Sequence, residues 1–124
     1  MAQALGIGGF FFKAANPADL ADWYDRHFGI TKVPDSYDAP AWQQQAGTTV
    51  FAPFAQDTDY FGRPEQTWII NFRIADLDAT VAELQAHGIA VEVDPETYPN
   101  GRFARLSDPE GNPVQLWEPD APDT

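Results

Sequence analysis

The chain contains an internal repeat, and the repeat limits the folds that are open to it. Residues 10–16 form an apolar segment that leads into a helix-like stretch ending at Gly29, and residues 70–76 lead into a second such stretch ending at Gly88. One strand–helix unit of this size exposes an apolar face that it cannot bury by itself. The repeat therefore predicts one domain made of two half-domains, here called modules 1 and 2.

Both predicted helices carry start and stop signals. Asn16 can cap the first turn of one helix, Pro17 suits its first position, and Gly29 supplies a left-handed stop. Asp76 and Gly88 take the corresponding places in the other helix. The apolar stripes at helical spacing are Leu20, Tyr24 and Phe28 in the first helix, and Leu77, Val81 and Leu84 in the second.

The other apolar segments predict strands. The better candidates are residues 7–13, 48–53, 68–74, 102–106 and 114–117, and the weaker ones are residues 30–33, 41–45 and 90–93. Residues 108–113 are rich in Asp, Pro, Gly and Asn and predict the turn of a hairpin. We expect one domain over residues 1–124, with module 1 at about 5–54, a connecting loop at about 55–66, module 2 at about 67–119 and a tail at 120–124.

Composition excludes several classes of partner. Nineteen acidic residues against seven basic ones leave a formal charge of −12, which disfavours both nucleic acid and anionic membrane surfaces. There is no cysteine, so disulfides and thiolate metal sites are excluded, and no apolar run approaches the ~20 residues that span a bilayer. A hydrophobic content of 44% is enough for a core. We expect a soluble, cytoplasmic protein.

Three motifs, in this order, resemble the vicinal oxygen chelate superfamily, which includes glyoxalases, bleomycin-resistance proteins and extradiol dioxygenases. The motifs are Asn16-Pro17 with Trp23-Tyr24 and Phe28-Gly29, residues 72–78 with Gly88, and the hairpin at residues 108–117. The resemblance spans about residues 5 to 119. It implies an α+β fold in which two βαβββ modules form a curved mixed sheet around a cavity, and it implies a homodimer.

The resemblance also implies where a metal would bind. The four ligand positions of metal-using relatives fall on Gly9, Thr49, Ile69 and Gln115, and these residues offer no imidazole or carboxylate. We therefore expect no metal and no cofactor, which argues against a metal-dependent lyase or dioxygenase. The two histidines, His27 and His87, precede the terminating glycines of the helices, where a cation favours the helix dipole, so a structural role is expected.

If these ligand positions mark the concave side of the sheet, strand alternation identifies the other residues on that side. The opposite face is almost purely apolar, as expected beneath two helices. The side chains expected to line the cavity and bind a ligand are Phe11, Phe51, Asn71, Arg73, Phe103, Arg105, Gln115 and Trp117.

The concave face would also carry three of the seven cations of the chain, Lys13, Arg73 and Arg105. Arginine binds carboxylates and phosphates, and aromatic walls hold planar bodies. The alternative is that these cations pair with acids or lie in water at the rim. The acids considered as partners are Glu65, Glu92 and Glu118.

Three functions are compatible with these residues. The first is a metal-free binder of a small molecule, held in the cavity between the modules. The alternative is a lyase, isomerase or dioxygenase-like enzyme acting on a small organic substrate, in which loop residues Asp57, Asp59 or Tyr60 would supply acid–base chemistry. The third is an auxiliary dimeric subunit with a vestigial cavity. The loop at 55–66 would close over the cavity mouth or pack against a dimer partner, and no catalytic residue is assigned.

Overall fold

Two helices and four strands make up the regular structure of residues 2–120, which are the residues described by this computed structural model. The predicted tail at 120–124 lies almost wholly outside them. In chain order the elements are α1 (Pro17–Phe28), β1 (Ile70–Arg73), α2 (Leu77–Ala86), β2 (Glu92–Val93), β3 (Gly101–Ser107) and β4 (Pro113–Pro119). Neither helix is long and apolar enough to cross a membrane.

The strands form one mixed sheet in the order β1-β4-β3-β2. β1 runs parallel to β4, whereas β3 is antiparallel to both β4 and β2. The antiparallel pair β3–β4 is joined by the predicted turn at residues 108–113, and α2 lies between β1 and β2 in the chain. The mixed α+β fold expected from the sequence is confirmed, as an open sheet.

The helix boundaries follow from the predicted caps. The side chain of Asn16 accepts a hydrogen bond from the Asp19 amide (3.3 Å), and Gly29 ends α1 with a φ of 68°. The side chain of Asp76 accepts one from the Ala79 amide (3.0 Å). His87 is the C-cap of α2 and therefore lies just beyond its last turn.

Two carboxylates from the last hairpin and strand also bind the starts of the helices. Glu110 accepts hydrogen bonds from the amides of Ala15 (2.7 Å) and Asn16 (2.9 Å), just before α1. Glu118 accepts one from the Leu77 amide (2.7 Å) at the start of α2. Free amides at a helix N-terminus favour a carboxylate, so these contacts tie both helices to the β3–β4 hairpin.

The core lies between the helices and one face of the sheet. Val114 and Leu116 of β4 are fully buried, as is Leu77 of α2. Val114 and Leu116 alternate along β4 with residues whose side chains lie on the other face of the sheet, so the predicted apolar face is confirmed. The buried core residues are Leu20, Tyr24, Leu77, Val81, Leu84, Ala104, Leu106, Val114 and Leu116.

The strands expected in module 1 are not formed. Residues 2–69 form no strand, although the sequence predicts strands at residues 7–13, 30–33, 41–45 and 48–53. Strand propensity alone does not hold an extended segment, because its backbone groups need a partner strand. Within the described residues these segments lack such partners, and the sheet consists of module 2 strands alone. The weak strand at 90–93 shortens to β2.

Candidate functional site

Six of the expected site residues lie in two rows across β1, β4 and β3. The register pairs Asn71 with Gln115 and Gln115 with Arg105, which we call the amide row. The same register aligns the second set, which we call the tryptophan row and which consists of Arg73, Trp117 and Phe103. Both rows occupy the sheet face opposite the helices, because their side chains alternate with the buried core residues.

The amide row is connected through its side chains to the loop at 55–66. Asn71 Nδ2 donates to Gln115 Oε1 (2.7 Å), and Gln115 Nε2 donates to the hydroxyl of Tyr60 (2.8 Å). Arg105 Nη2 donates to the Tyr60 carbonyl (2.6 Å), and the Arg105 guanidinium lies 5.0 Å from the centre of the Tyr60 ring. Tyr60 therefore completes this row from a loop.

The tryptophan row is more deeply buried. The Phe103 and Trp117 rings are stacked, with centroids 6.4 Å apart and an interplanar angle of 5°. Trp117 is 8% exposed, and its indole Nε1 donates to the Asn100 carbonyl (2.7 Å). Arg73 Nη2 donates to the Gln45 carbonyl (2.7 Å). The row thus places two stacked aromatic rings beside a guanidinium that is held by a backbone carbonyl.

Two of the three candidate acidic partners of these cations make other contacts. Glu65 pairs with Arg63 (3.7 Å), and Glu118 caps α2. Glu118 follows Gln115 by three residues along β4, so the two side chains lie on opposite faces of the sheet. Glu92 is the register neighbour of Arg105 on β2. The Arg105 contacts described above are made to Tyr60.

Phe11 and Phe51 do not join the two rows. Their side chains are 93% and 84% exposed, on the extended segments that lack partner strands. Strand alternation placed them on the cavity face, but alternation determines a face only where a sheet exists. Tyr60, by contrast, lies in the site although it was absent from the expected lining. The aromatic residues at 54, 60 and 61, which contact one another, were the available signal for that segment.

The residues at the family's metal positions do not fit a divalent metal. Gly9 and Ile69 have no side-chain ligand atom, Thr49 offers one hydroxyl, and the Gln115 amide is hydrogen-bonded to Asn71 and Tyr60. Transition metals in proteins prefer imidazole, thiolate or carboxylate ligands. Over residues 2–120, moreover, no three His, Asp or Glu side chains are grouped so that they could hold a metal ion.

The two histidines lie together, although far apart in sequence. The His27 and His87 rings contact edge to face, with centroids 5.4 Å apart, and the Trp23 ring lies 5.2 Å from His27. Burial and the neighbouring His87 lower the pKa of His27 below its usual range. The pair therefore joins the C-terminal ends of α1 and α2 and favours neutral imidazole in His27.

Two open grooves flank Trp23 on α1. One, of about 600 Å³, is lined by residues 89–92 and 105–109, and the other, of about 480 Å³, by the start of α1 with Pro109 and Glu110. Neither is lined by Gln115 or Trp117. Arg105 lines the first of these grooves, so that groove reaches the edge of the amide row, whereas the other five residues of the two rows line neither groove.

Comparison with known families and proteins gives consistent results. The family model described as a glyoxalase-like domain matches residues 9–117. The uncharacterized protein YaeR of Escherichia coli (strain K12) is 39% identical over 61 residues, which are 45% of this chain and 46% of that protein. The chain thus spans about half the length of this curated relative.

Two solved structures from Streptomyces sp. CB03234 are similar over most of the chain. TnmS3, an antibiotic binding protein, is 25% identical with a TM-score of 0.56, covering 94% of this chain and 100% of TnmS3. A glyoxalase/bleomycin resistance protein is 26% identical with a TM-score of 0.50, covering 84% of this chain and 92% of that protein. With the match over residues 9–117, these similarities show that the chain belongs to the glyoxalase-like domain family of the vicinal oxygen chelate superfamily.

Proposed function

We propose that this protein binds a small organic molecule on the face formed by the amide row and the tryptophan row, without a metal. The observation that carries the proposal is the alignment of six expected lining residues on three adjacent strands. Ligand sites commonly combine aromatic walls with a few placed polar groups. Here Trp117 and Phe103 supply the walls, and Gln115 and Arg105 supply the polar groups.

Charge supports a ligand that carries an anionic or electron-rich group. The chain has a formal charge of −12, and two of its seven cations, Arg73 and Arg105, stand on this one face. Arginine recognises carboxylate and phosphate through paired hydrogen bonds and stacks on aromatic rings. TnmS3 is an antibiotic binding protein, and its similarity to this chain supports binding over catalysis.

A homodimer is part of the proposal. Phe11 and Phe51 are 93% and 84% exposed, and large exposed apolar side chains on unpaired extended segments favour association. If strands of a second copy paired with these extended segments, Phe11 and Phe51 would line a cavity between the two chains. Size-exclusion chromatography with light scattering tests this. We expect a dimer that Phe11→Ser weakens and that Tyr37→Ser, a change at another exposed aromatic, leaves intact.

Calorimetric titration with three classes of compound, aromatic carboxylic acids, organic phosphates and cationic glycopeptides, tests the binding proposal. We expect an aromatic acid to bind, and Arg105→Gln to weaken it at least about tenfold, because a hydrogen bond to a charged group is worth roughly 1.5–3 kcal/mol. Arg102→Gln is the matched control, since Arg102 lies on the same strand but pairs with Asp78 (3.0 Å). No binding by any class would refute the proposal.

One observation keeps an enzymatic alternative open. The Tyr60 hydroxyl lies 2.8 Å from Gln115 Nε2. The loop therefore places a hydroxyl at the amide row, and the enzyme hypothesis needs a loop residue there as acid or base. A lyase or isomerase acting through this hydroxyl would lose turnover with Tyr60→Phe and retain it with Tyr37→Phe. Turnover that survives Tyr60→Phe together with changes at Asp57 and Asp59 would eliminate this alternative.

A further inference from the structure

The loop residue Tyr60 is held by the amide row in the manner of a bound ligand. Its hydroxyl accepts a hydrogen bond from Gln115 Nε2 (2.8 Å), and its ring lies 5.0 Å from the Arg105 guanidinium. The Phe54 ring stacks on it, with centroids 5.4 Å apart and an interplanar angle of 19°. A phenol ring is thus recognised at its hydroxyl and at its face by separate groups.

The donor that meets the hydroxyl is itself oriented. Asn71 Nδ2 donates to Gln115 Oε1 (2.7 Å), and this hydrogen bond leaves the Gln115 NH₂ group directed toward Tyr60. A donor fixed before binding loses little freedom when a ligand oxygen arrives. The amide row is therefore prepared for a ring that carries an oxygen acceptor.

The Tyr60 ring is also placed so that it can leave. Its side chain is 41% exposed, and the backbone hydrogen bonds around it are short-range, from Thr58 to Ala55 and from Gly62 to Asp59. Local turns open at little cost compared with core elements. The loop is also held by the Arg105 hydrogen bond to the Tyr60 carbonyl (2.6 Å), and a ligand oxygen that accepts from Arg105 would replace that contact. Departure of Tyr60 would uncover the Gln115 amide and the Arg105 guanidinium together.

On the basis of the proposed function, we propose that Tyr60 occupies the position of the ligand's ring, so that the site selects a planar aromatic molecule bearing a phenolic hydroxyl, which binds by displacing Tyr60. The guanidinium of Arg105 attracts the face of an electron-rich ring. The Gln115 amide rejects an analogue without the oxygen, because its donor would then lose its partner. Tyr60 is thus a competitor that sets both the class of ligand and its apparent affinity.

The test uses p-cresol, which is the tyrosine side chain as a free molecule, and toluene, which lacks the hydroxyl. Each is titrated to roughly 10 mM into the full chain carrying Tyr60→Ala, and the side-chain NH signals of Gln115 and Arg105 are followed by ¹H–¹⁵N NMR. We expect p-cresol to shift both signals saturably, at least about tenfold more tightly than toluene and at least about tenfold more tightly than in the wild type.

Two further variants serve as controls. Tyr37→Ala removes a tyrosine that is fully exposed, and it should bind p-cresol as weakly as the wild type. Tyr60→Phe keeps the ring and should preserve the fold, while it frees the Gln115 amide and shifts its signal without added ligand. If Tyr60→Ala disrupts the fold, an unchanged Gln115 signal in Tyr60→Phe overturns the inference by itself.

The outcomes separate this inference from the binding proposal. Equal binding of p-cresol and toluene, or p-cresol shifts equal in Tyr60→Ala and the wild type, would overturn the role of Tyr60. If an aromatic acid still bound both proteins with dependence on Arg105, the binding proposal would stand while this inference fell. No binding of any compound would overturn both.

Discussion

Replacing Tyr24 by Phe removes one hydroxyl from a buried contact between α1 and the turn that joins β3 to β4. The Tyr24 hydroxyl donates to Asp108 Oδ2 (2.7 Å), and Asp108 is only 4% exposed. The same carboxylate accepts from the Glu110 amide (2.9 Å), the Asn112 amide (3.0 Å) and Asn112 Nδ2 (2.9 Å). Tyr24 therefore supplies the one described donor to this carboxylate that comes from outside the turn.

The expected cost follows from these contacts. Phe keeps the ring, so no cavity of ring size forms, and the loss is confined to a hydrogen bond with a buried carboxylate. Hydrogen bonds to charged groups contribute roughly 1.5–3 kcal/mol to stability. In the variant, the Asp108 carboxylate stays buried with one donor fewer, so the loss of unfolding free energy should fall in that range. We expect Tyr24→Phe to lower the free energy of unfolding by about 2 kcal/mol. With an m-value of roughly 2 kcal/mol/M, the urea midpoint would fall by ~1 M.

Urea titration at pH 7, followed by far-UV circular dichroism, measures this change. Tyr37→Phe is the matched control, because Tyr37 is fully exposed and its hydroxyl loss should cost less than about 0.5 kcal/mol. Equal midpoints for the two variants would refute the reasoning, since the Tyr24 hydroxyl would then make no net contact in the folded state.

A pH series provides an independent check on the same contact. Burial, followed by the hydrogen bond and charge of Asp108, raises the pKa of Tyr24 far above its usual range. Folding therefore favours the protonated phenol, so this stabilisation is present below pH ~10 and is lost as the pH rises further. Wild type should lose more stability than Tyr24→Phe above pH ~10, and parallel profiles would contradict this assignment.

Three other perturbations follow from the fold. Gly101→Ala should cost about 2–3 kcal/mol, because Gly101 has a φ of 129° and an added Cβ would press on the Glu118 carbonyl. Leu116→Ala should cost about 2–5 kcal/mol, since Leu116 is fully buried in the core. In wild type, stability should fall as the pH drops below ~6.5, and His27→Gln should lessen that fall, because burial and His87 lower the pKa of His27. Urea unfolding measures the first two, and unfolding from pH 7.5 to pH 5 measures the third.

Matched variants control for these effects. Gly8→Ala meets open space and Leu5→Ala removes a fully exposed side chain, so both should leave the urea midpoint nearly unchanged. A Leu116→Ala cost as small as that of Leu5→Ala would contradict the core assignment. Arg26 and Glu83 also influence His27, in opposite directions. A His27→Gln profile as steep as that of wild type would assign the pH dependence to other groups.

Local signals made both helices predictable from the sequence. The cap and stop residues Asn16, Gly29 and Asp76 act within one turn, and the structure begins and ends the helices there within one residue or two. The turn at 108–113 and the alternation along β4 are equally local, because turn chemistry and the two-residue period need no distant partner. For the same reason, the sequence predicted the inward face of module 2 and placed six of the eight expected lining residues on one face of the sheet.

Contacts between distant segments were decided by the tertiary structure alone. Strands at 7–13 and 48–53 needed partners that the described chain does not provide, so Phe11 and Phe51 stayed outside the site despite their favourable pattern. The pairing of Tyr60 with Gln115 and the capping of α1 by Glu110 join residues far apart in sequence. Local sequence determines helices and turns. Strand pairing and long-range side-chain contacts depend instead on which distant segments the folded chain brings together.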